Sequence, residues 1–385
     1  LTVLIKKNIK RIGVTNSKGE MIGILEQMDV LSHFANHTYV VDSKIKKAKN
    51  INDLKSASMD LLNIIKSLQV KGVKVNHISN LIGQLNTKIY QKIYKLVLPN
   101  ELQKDACFIV MGSEGRNEQI IKTDQDNALV VKDGIDVEQY RPYMNTIIEH
   151  LIDFGYPRCE GNIMVSNPFW CKTVSQYKSE TARWIEAPDM QNYMDLAIFF
   201  DSFAVAGDKD LLINLKDDLF NKLHDKDVFM AYFAKATLTF DTPNTIANFM
   251  TKTHYIDIKK AAVFPIVQGI RSLALRERIR ETTTVKRIKI LEDKKVLEKS
   301  KAAELIEAFD VVNTLRLKAQ LDDIQDGKKI SNEIYTHTLG KIERDLLKDS
   351  FKIVNEFKKF INYTFRIDKI SWCSITFLKT GIEKN

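Results

Sequence analysis

The chain has little of what marks specialised classes of protein. Its four cysteines among 385 residues (Cys107, Cys159, Cys171 and Cys373) show no Cys-x-x-Cys spacing. Neither a disulfide framework nor a zinc site is expected; reduced thiols of a cytoplasmic protein fit best. No apolar run approaches the ~20 residues of a membrane-spanning helix, so no membrane association is expected. The first residues, LTVLIKKNIKRIG, lack the charged lead, long apolar core and small-residue cleavage site of a secretory signal. They also lack an initiator Met, and the chain reads as a fragment of a longer protein. The seven histidines are scattered without ligand spacing. Proline (7) and glycine (15) are scarce and fall at breaks between periodic segments, leaving room for long helices.

What is there is an ordinary globular composition, 44% hydrophobic and 28% charged, with room for two or three domains. The formal charge of +9 raises nucleic acid as a partner. Yet the densest basic run, Lys286 to Lys301, mixes seven basic with three acidic residues at helical spacing. That pattern is a solvated helix face, and no nucleic acid is expected.

Residues 1–40 read as a hairpin and a helix: Ile12–Thr15, a turn at Asn16-Ser17-Lys18-Gly19, Met21–Leu25, then a helix from Glu26 to Phe34. Residues 43–100 carry amphipathic helical periodicity broken at Gly72 and form a helical linker. Residues 101–210 form the α/β part. Strands are expected at Ala106–Met111, Asn127–Lys132 and Leu196–Phe203, with helices at Val137–Phe154 and Val174–Ile185. Over 211–365 strand signals nearly vanish. Helices are expected at Leu211–Leu223, Val228–Phe240, Ala262–Arg280, Lys301–Gln320 and Leu339–Phe365, and 366–385 read as a tail. The fold class is α+β: an α/β core flanked by a helical linker and a helical C-terminal domain.

One stretch says more than the rest. The apolar run Ala106–Met111 leads into Gly112-Ser113, and after a polar segment Asp124 and Asp126 stand one residue apart before a second apolar run. Side chains two apart on a strand share a face. Two neighbouring carboxylates repel unless a cation lies between them, and such hard oxygen ligands suit Mg²⁺. A divalent metal beside a glycine turn that can approach phosphate is the apparatus of nucleotidyl transfer.

Gly-Ser, ten intervening residues and Asp-x-Asp resemble the hallmark of the nucleotidyltransferase superfamily that includes DNA polymerase beta. The longer string GSEGRNEQ…TDQDNAL is similar to one branch of it, the DUF294-type proteins related to bacterial PII-uridylyltransferase, which carry a C-terminal helical domain. Downstream, Gly155–Trp170 resembles the family's GYPxCxGxxMxxNPxW segment. The pattern IGVTNSKGEMIGILEQMDVLSHF is similar to the end of a CBS domain, truncated here. Paired CBS modules imply a homodimer.

The resemblance implies that Asp124 and Asp126 are catalytic and hold Mg²⁺ or Mn²⁺, with Asp201 as a third, strand-borne ligand. Asp201 reads equally as a strand-end cap or salt-bridge acid. In relatives its segment reads Phe-Asp-x-Arg-x-Val-x-Gly, whereas here Phe203 stands at the Arg position. Gly112 and Ser113 would approach the triphosphate. Arg116 would reach phosphate too, or pair with Glu114 or Asp124. Glu118 and Gln119 would orient the loop, and Lys122 reads as a surface lysine. Trp170 either stacks on a base, beside Asn167 and Lys172, or anchors the core. Cys159 reads as structural, with no His near it in sequence. Lys259, Arg271 and Arg287 are candidate phosphate ligands, each otherwise a surface charge. The implied activity is transfer of UMP or AMP from an NTP to a hydroxyl on a protein, a PII-like acceptor included. No HD-type phosphohydrolase pattern accompanies it. The alternative is a nucleotide-sensing regulator without catalysis.

Overall fold

The structure, a computed structural model, describes residues 11–26, 38–243 and 255–369. It is an α+β protein in which small mixed sheets carry a largely helical chain. The hairpin β1 (Arg11–Thr15) and β2 (Met21–Glu26) pairs antiparallel, with its turn where Asn16 and Gly19 predict it. The helix expected after it lies, apart from Glu26, outside the described residues.

Before the central sheet lie the helices α1 (Ile51–Met59), α2 (Leu61–Val70) and α3 (Val75–Val97), among others. Asn50 caps α1 by accepting the Asp53 N–H. The expected break falls between α2 and α3, at Gly72.

The central sheet has the order β5-β4-β3-β6: β3 (Ala106–Val110), β4 (Asn127–Val131), β5 (Cys171–Thr173) and β6 (Phe203–Gly207). β3 is antiparallel to β4 and β6, and β4 is parallel to β5. Every residue of β3 and β4 is buried, so their continuous apolar runs mark strands covered on both faces. α3 packs on β6, while α5 (Val174–Glu186) and α7 (Lys209–Lys222) lie against the inner strands. α4 (Arg141–Asp153) joins β4 to the next loop. A capping box between Thr173 and Gln176 starts α5.

One expected strand is corrected. Leu196–Phe203 reads as strand from its apolar run, but residues Met190–Phe200 form helix α6, capped by Asp189 through the Asn192 N–H. Leu196, Ala197, Phe199 and Phe200 are all buried, so the run carries no clear helical stripe. The strand itself begins only at Phe203.

The C-terminal part contains α8 (Asp227–Lys235), the small pair β7 (Tyr255–Asp257) and β8 (Glu333–Tyr335), a π-helical turn at Lys259–Val263, then α9 (Phe264–Arg276), α10 (Thr284–Asp293), α11 (Lys299–Gln325) and α12 (Lys341–Phe365). α9 is buried along nearly its whole length and packs on α8, α10 and α12. Among the described residues no helix is long and apolar enough to cross a membrane.

Candidate active site

β3 delivers the chain into a short helical turn, Gly112–Gly115, and the Met111 N–H reaches the Asp126 carbonyl at 2.8 Å. This bond extends the β3–β4 ladder by one step and draws Asp126 against the turn. Gly112 has φ +55°, and a Cβ there would overlap Asp126 Oδ2. Only glycine permits both the backbone and the approach. Gly115 is equally constrained: a Cβ would overlap the carbonyl oxygens of Asp201 and Val110. The two glycines thus bring a carboxylate to either side of one turn.

Gly112, Ser113, Arg116, Asp124 and Asp126 all line one cleft of about 220 Å³. The sequence pattern placed these five together, and the fold does so. Gln119 braces them, its side-chain amide donating to the Asp124 carbonyl at 2.7 Å. The loop after α4 supplies the adjoining wall, with Cys159 and Ile163. It is seated on β4 by the Asn127 side chain, which accepts the Val165 N–H at 2.9 Å.

Electrostatically the carboxylate pair is under-compensated. Asp126 Oδ1 is sealed from solvent and accepts no hydrogen bond. Burial first, then the charge of Asp124, pushes the Asp126 carboxyl up to about 7. Behind the turn Glu114 is buried too; burial pushes it up to about 8, although it accepts the Tyr90 hydroxyl at 2.7 Å. Lys259 faces the pair from the π-helical turn. Burial and then Arg316 lower its pKa, against the pull of Asp124 and Asp126. The Cys159 thiol, raised to about 12 by burial and then by Asp126, is no nucleophile.

Asp201 is not beside the pair. It follows the last residue of α6 rather than ending a strand, is 0% exposed and is absent from the cleft lining. Its Oδ2 accepts from Arg116 Nη1 at 2.7 Å and from Arg271 Nε at 3.0 Å, and its Oδ1 from Arg287 Nη1 at 2.6 Å. Burial alone would raise its pKa, but Arg271, Arg287 and Arg116 together hold the carboxyl far below the usual range. The geometry thus supports the salt-bridge alternative, and the placement as a strand-borne metal ligand is corrected: its oxygens are taken by guanidiniums.

Other candidates separate cleanly. Arg116 pairs with Glu118 (2.7 Å) and Asp201 rather than with Glu114 or Asp124. Glu118 also accepts the Thr284 N–H at 2.8 Å, tying the turn to α10. Arg271 lines the cleft; Arg287 is wholly buried outside it. Lys122 is no surface lysine: its ammonium donates to Ser58 and to the Phe154 carbonyl, fastening α1 to the core. Trp170 is a core anchor packed with Phe169 and Trp184, and Lys172 pairs with Glu180.

The cleft also has an apolar half that sequence reasoning missed. Tyr193, Met194 and Ile198 of α6 face Tyr232 and Phe233 of α8 and Phe264 of α9. Their spacing is ordinary helical spacing, so nothing in the string sets them apart from core residues. The arginine cluster did leave a trace, because Arg271 lies inside the apolar run Ile270–Leu275.

A glycine turn, two carboxylates on the neighbouring strand's approach and a helical domain closing the cleft fit a nucleotidyltransferase-like α+β fold. Two family models match: "Putative nucleotidyltransferase DUF294" over residues 60–191, and "Putative nucleotidyltransferase substrate binding domain" (DUF294_C) over residues 227–365. The chain belongs to this DUF294 family, whose domains point to nucleotidyl transfer in general. No curated protein matches it.

Proposed function

We propose that the cleft transfers a nucleoside monophosphate, UMP or AMP, from an NTP to a hydroxyl on an acceptor protein. The observation that carries this reading is the unpartnered, sealed Oδ1 of Asp126 beside Asp124 at the Gly112-Ser113 turn.

A divalent cation suits that place. Among the described residues no group of three or more His, Cys, Asp or Glu side chains converges. The protein would therefore give two carboxylates, Asp124 and Asp126, and the nucleotide's own phosphates would complete the shell. This is the usual way Mg²⁺ is held by phosphate-transfer proteins. When bound, the ion supplies neutralisation of phosphate charge. Gly112 and Ser113 hold the triphosphate, and Arg116 offers it a guanidinium. The apolar half takes the base and ribose. The acceptor oxygen attacks the α-phosphorus, pyrophosphate leaves, and the hydroxyl proton passes to a cleft carboxylate.

The test incubates the protein with each α-labelled NTP, Mg²⁺ and cell lysate. Label on a protein band, with pyrophosphate released and both lost in Asp126→Ala, is the expected result. Unchanged labelling by a folded Asp126→Ala sinks the proposal. A second reading, nucleotide binding without transfer, is favoured by the lack of a third carboxylate beside the pair among the described residues. It predicts Mg²⁺-dependent thermal stabilisation by NTP with no label transferred.

A further inference from the structure

Asp201 joins two regions of the chain. Arg116 comes from the catalytic turn, while Arg271 and Arg287 come from α9 and α10. Its carboxylate takes four donor contacts, because Arg271 Nη2 reaches Oδ2 as well, at 2.5 Å. Three of these contacts fall on Oδ2 and one on Oδ1, so both oxygens are engaged by guanidiniums. The charges are not balanced. Three guanidiniums stand against two carboxylates, Asp201 and Glu118.

The surplus positive charge faces the cleft. Arg116 and Arg271 both line it. Among the described residues Arg116 Nη2 has no protein acceptor, because the side chain is bonded only through Nε to Glu118 and Nη1 to Asp201. Arg271 gives Nε and Nη2 to Asp201 and Nη1 to Gln268, leaving one hydrogen on each terminal nitrogen. Arg287 plays a different part. It lies over the Phe200 ring at 4.6 Å, donates to the Glu281 carbonyl and stays out of the cleft.

We propose that Asp201 is a positioning residue that holds Arg116 and Arg271 as a pair of guanidinium donors for a polyphosphate in the cleft, leaving the divalent cation to Asp124 and Asp126. The inference rests on the reading of the cleft as an NTP site. Two guanidiniums side by side repel; one shared carboxylate removes the repulsion and fixes their orientation. Planar forks held this way lose little freedom when they meet phosphate oxygens. Arg287 supplies the third contact that keeps the carboxylate still. A bound metal triphosphate would then meet both imbalances of the cleft, the bare oxygen of Asp126 and the surplus charge of the arginines.

The test titrates Mn²⁺ alone and sodium tripolyphosphate alone into wild type, Asp126→Asn, Asp201→Asn and Arg271→Lys, with folding checked by circular dichroism. Asp201→Asn is expected to keep Mn²⁺ affinity within about twofold while binding tripolyphosphate at least about tenfold more weakly, the value of a charge-assisted contact. Asp126→Asn is expected to do the reverse. In turnover, Asp201→Asn should raise the KM for NTP more than it lowers kcat, with Mg²⁺ dependence unmoved. Loss of Mn²⁺ binding in Asp201→Asn, or unchanged tripolyphosphate binding, overturns the inference. If Asp201→Asn does not fold, Arg271→Lys decides: it keeps the charge but not the fork, and unweakened tripolyphosphate binding by it is a refutation. Failure of wild type to bind Mn²⁺ would count against the nucleotide reading, while the tripolyphosphate measurements still judge the role of Asp201.

Discussion

Asp126 and Asp201 are the same residue type, held on either side of one glycine turn, and their surroundings are opposite. Asp126 has a sealed oxygen with no donor and a second carboxylate nearby; Asp201 has three guanidiniums. Burial acts on both in the same direction, so the partners decide the outcome. The first carboxylate is left wanting a cation and the second is satisfied inside the protein. The two acids are therefore told apart by the partners they have or lack, rather than by burial or sequence position.

The largest expected effect separates the two by stability. Asp201→Ala leaves three guanidiniums without their shared counter-charge, and removing one side of such a buried pair costs about 3–5 kcal/mol. Asp126→Asn removes a buried carboxylate that makes no ion pair among the described residues, and should raise the stability of the metal-free protein by about 1 kcal/mol. Urea unfolding of both variants beside wild type measures this. Comparable losses in the two would erase the distinction.

A pH series sharpens the same contrast. The Asp126 carboxyl is raised to about 7 in the fold. Its unfolded value is about 3.9, so the folded state binds the proton more tightly over that interval. Stability from this group is complete below the unfolded value and is lost as pH rises through about 7. Asp201 has the opposite sign: its folded pKa is depressed, so its contribution is present above the unfolded value and is lost as pH falls below it. Without divalent cations, wild type should therefore lose stability relative to Asp126→Asn between about pH 4 and 7. The burden of Glu114, raised in the same direction, is carried by both proteins and largely cancels. A flat difference across that interval would mean that Asp126 has a partner in solution.

The sequence pattern disclosed the local part of this site and not the distant part. Gly112, Ser113, Asp124 and Asp126 lie within fifteen residues of one another, so two strands and one turn suffice to gather them. Periodicity also disclosed most of the helices from α4 to α12. It fails at α6, whose C-terminal half is buried on nearly every side, so that its apolar run has the look of a strand. The pairing of Asp201 with Arg271 and Arg287 spans 70 and 86 residues. Only the tertiary fold joins those positions, and a string shows them as separate charges. Trp170 was ambiguous for a related reason: a buried aromatic and a base-stacking one are the same letter, and only its packing with Trp184 decides.

The smallest expected effect concerns Phe203, the one departure from the family's pattern that the sequence made conspicuous. If that pattern mattered through phosphate contact, Phe203→Arg should improve nucleotide binding. The fold argues otherwise. Phe203 opens the edge strand β6, opposite Val110; it is 37% exposed and does not line the cleft. The guanidiniums at Asp201 come instead from Arg116, Arg271 and Arg287, so both of its oxygens are already engaged. Phe203→Arg should shift stability by less than about 0.5 kcal/mol, as a surface change does, and leave tripolyphosphate affinity and turnover where they were. A gain of about tenfold in either, worth about 1.4 kcal/mol, would show that the arginine cluster is incomplete as it stands and that Asp201 is less fully satisfied than its four contacts imply.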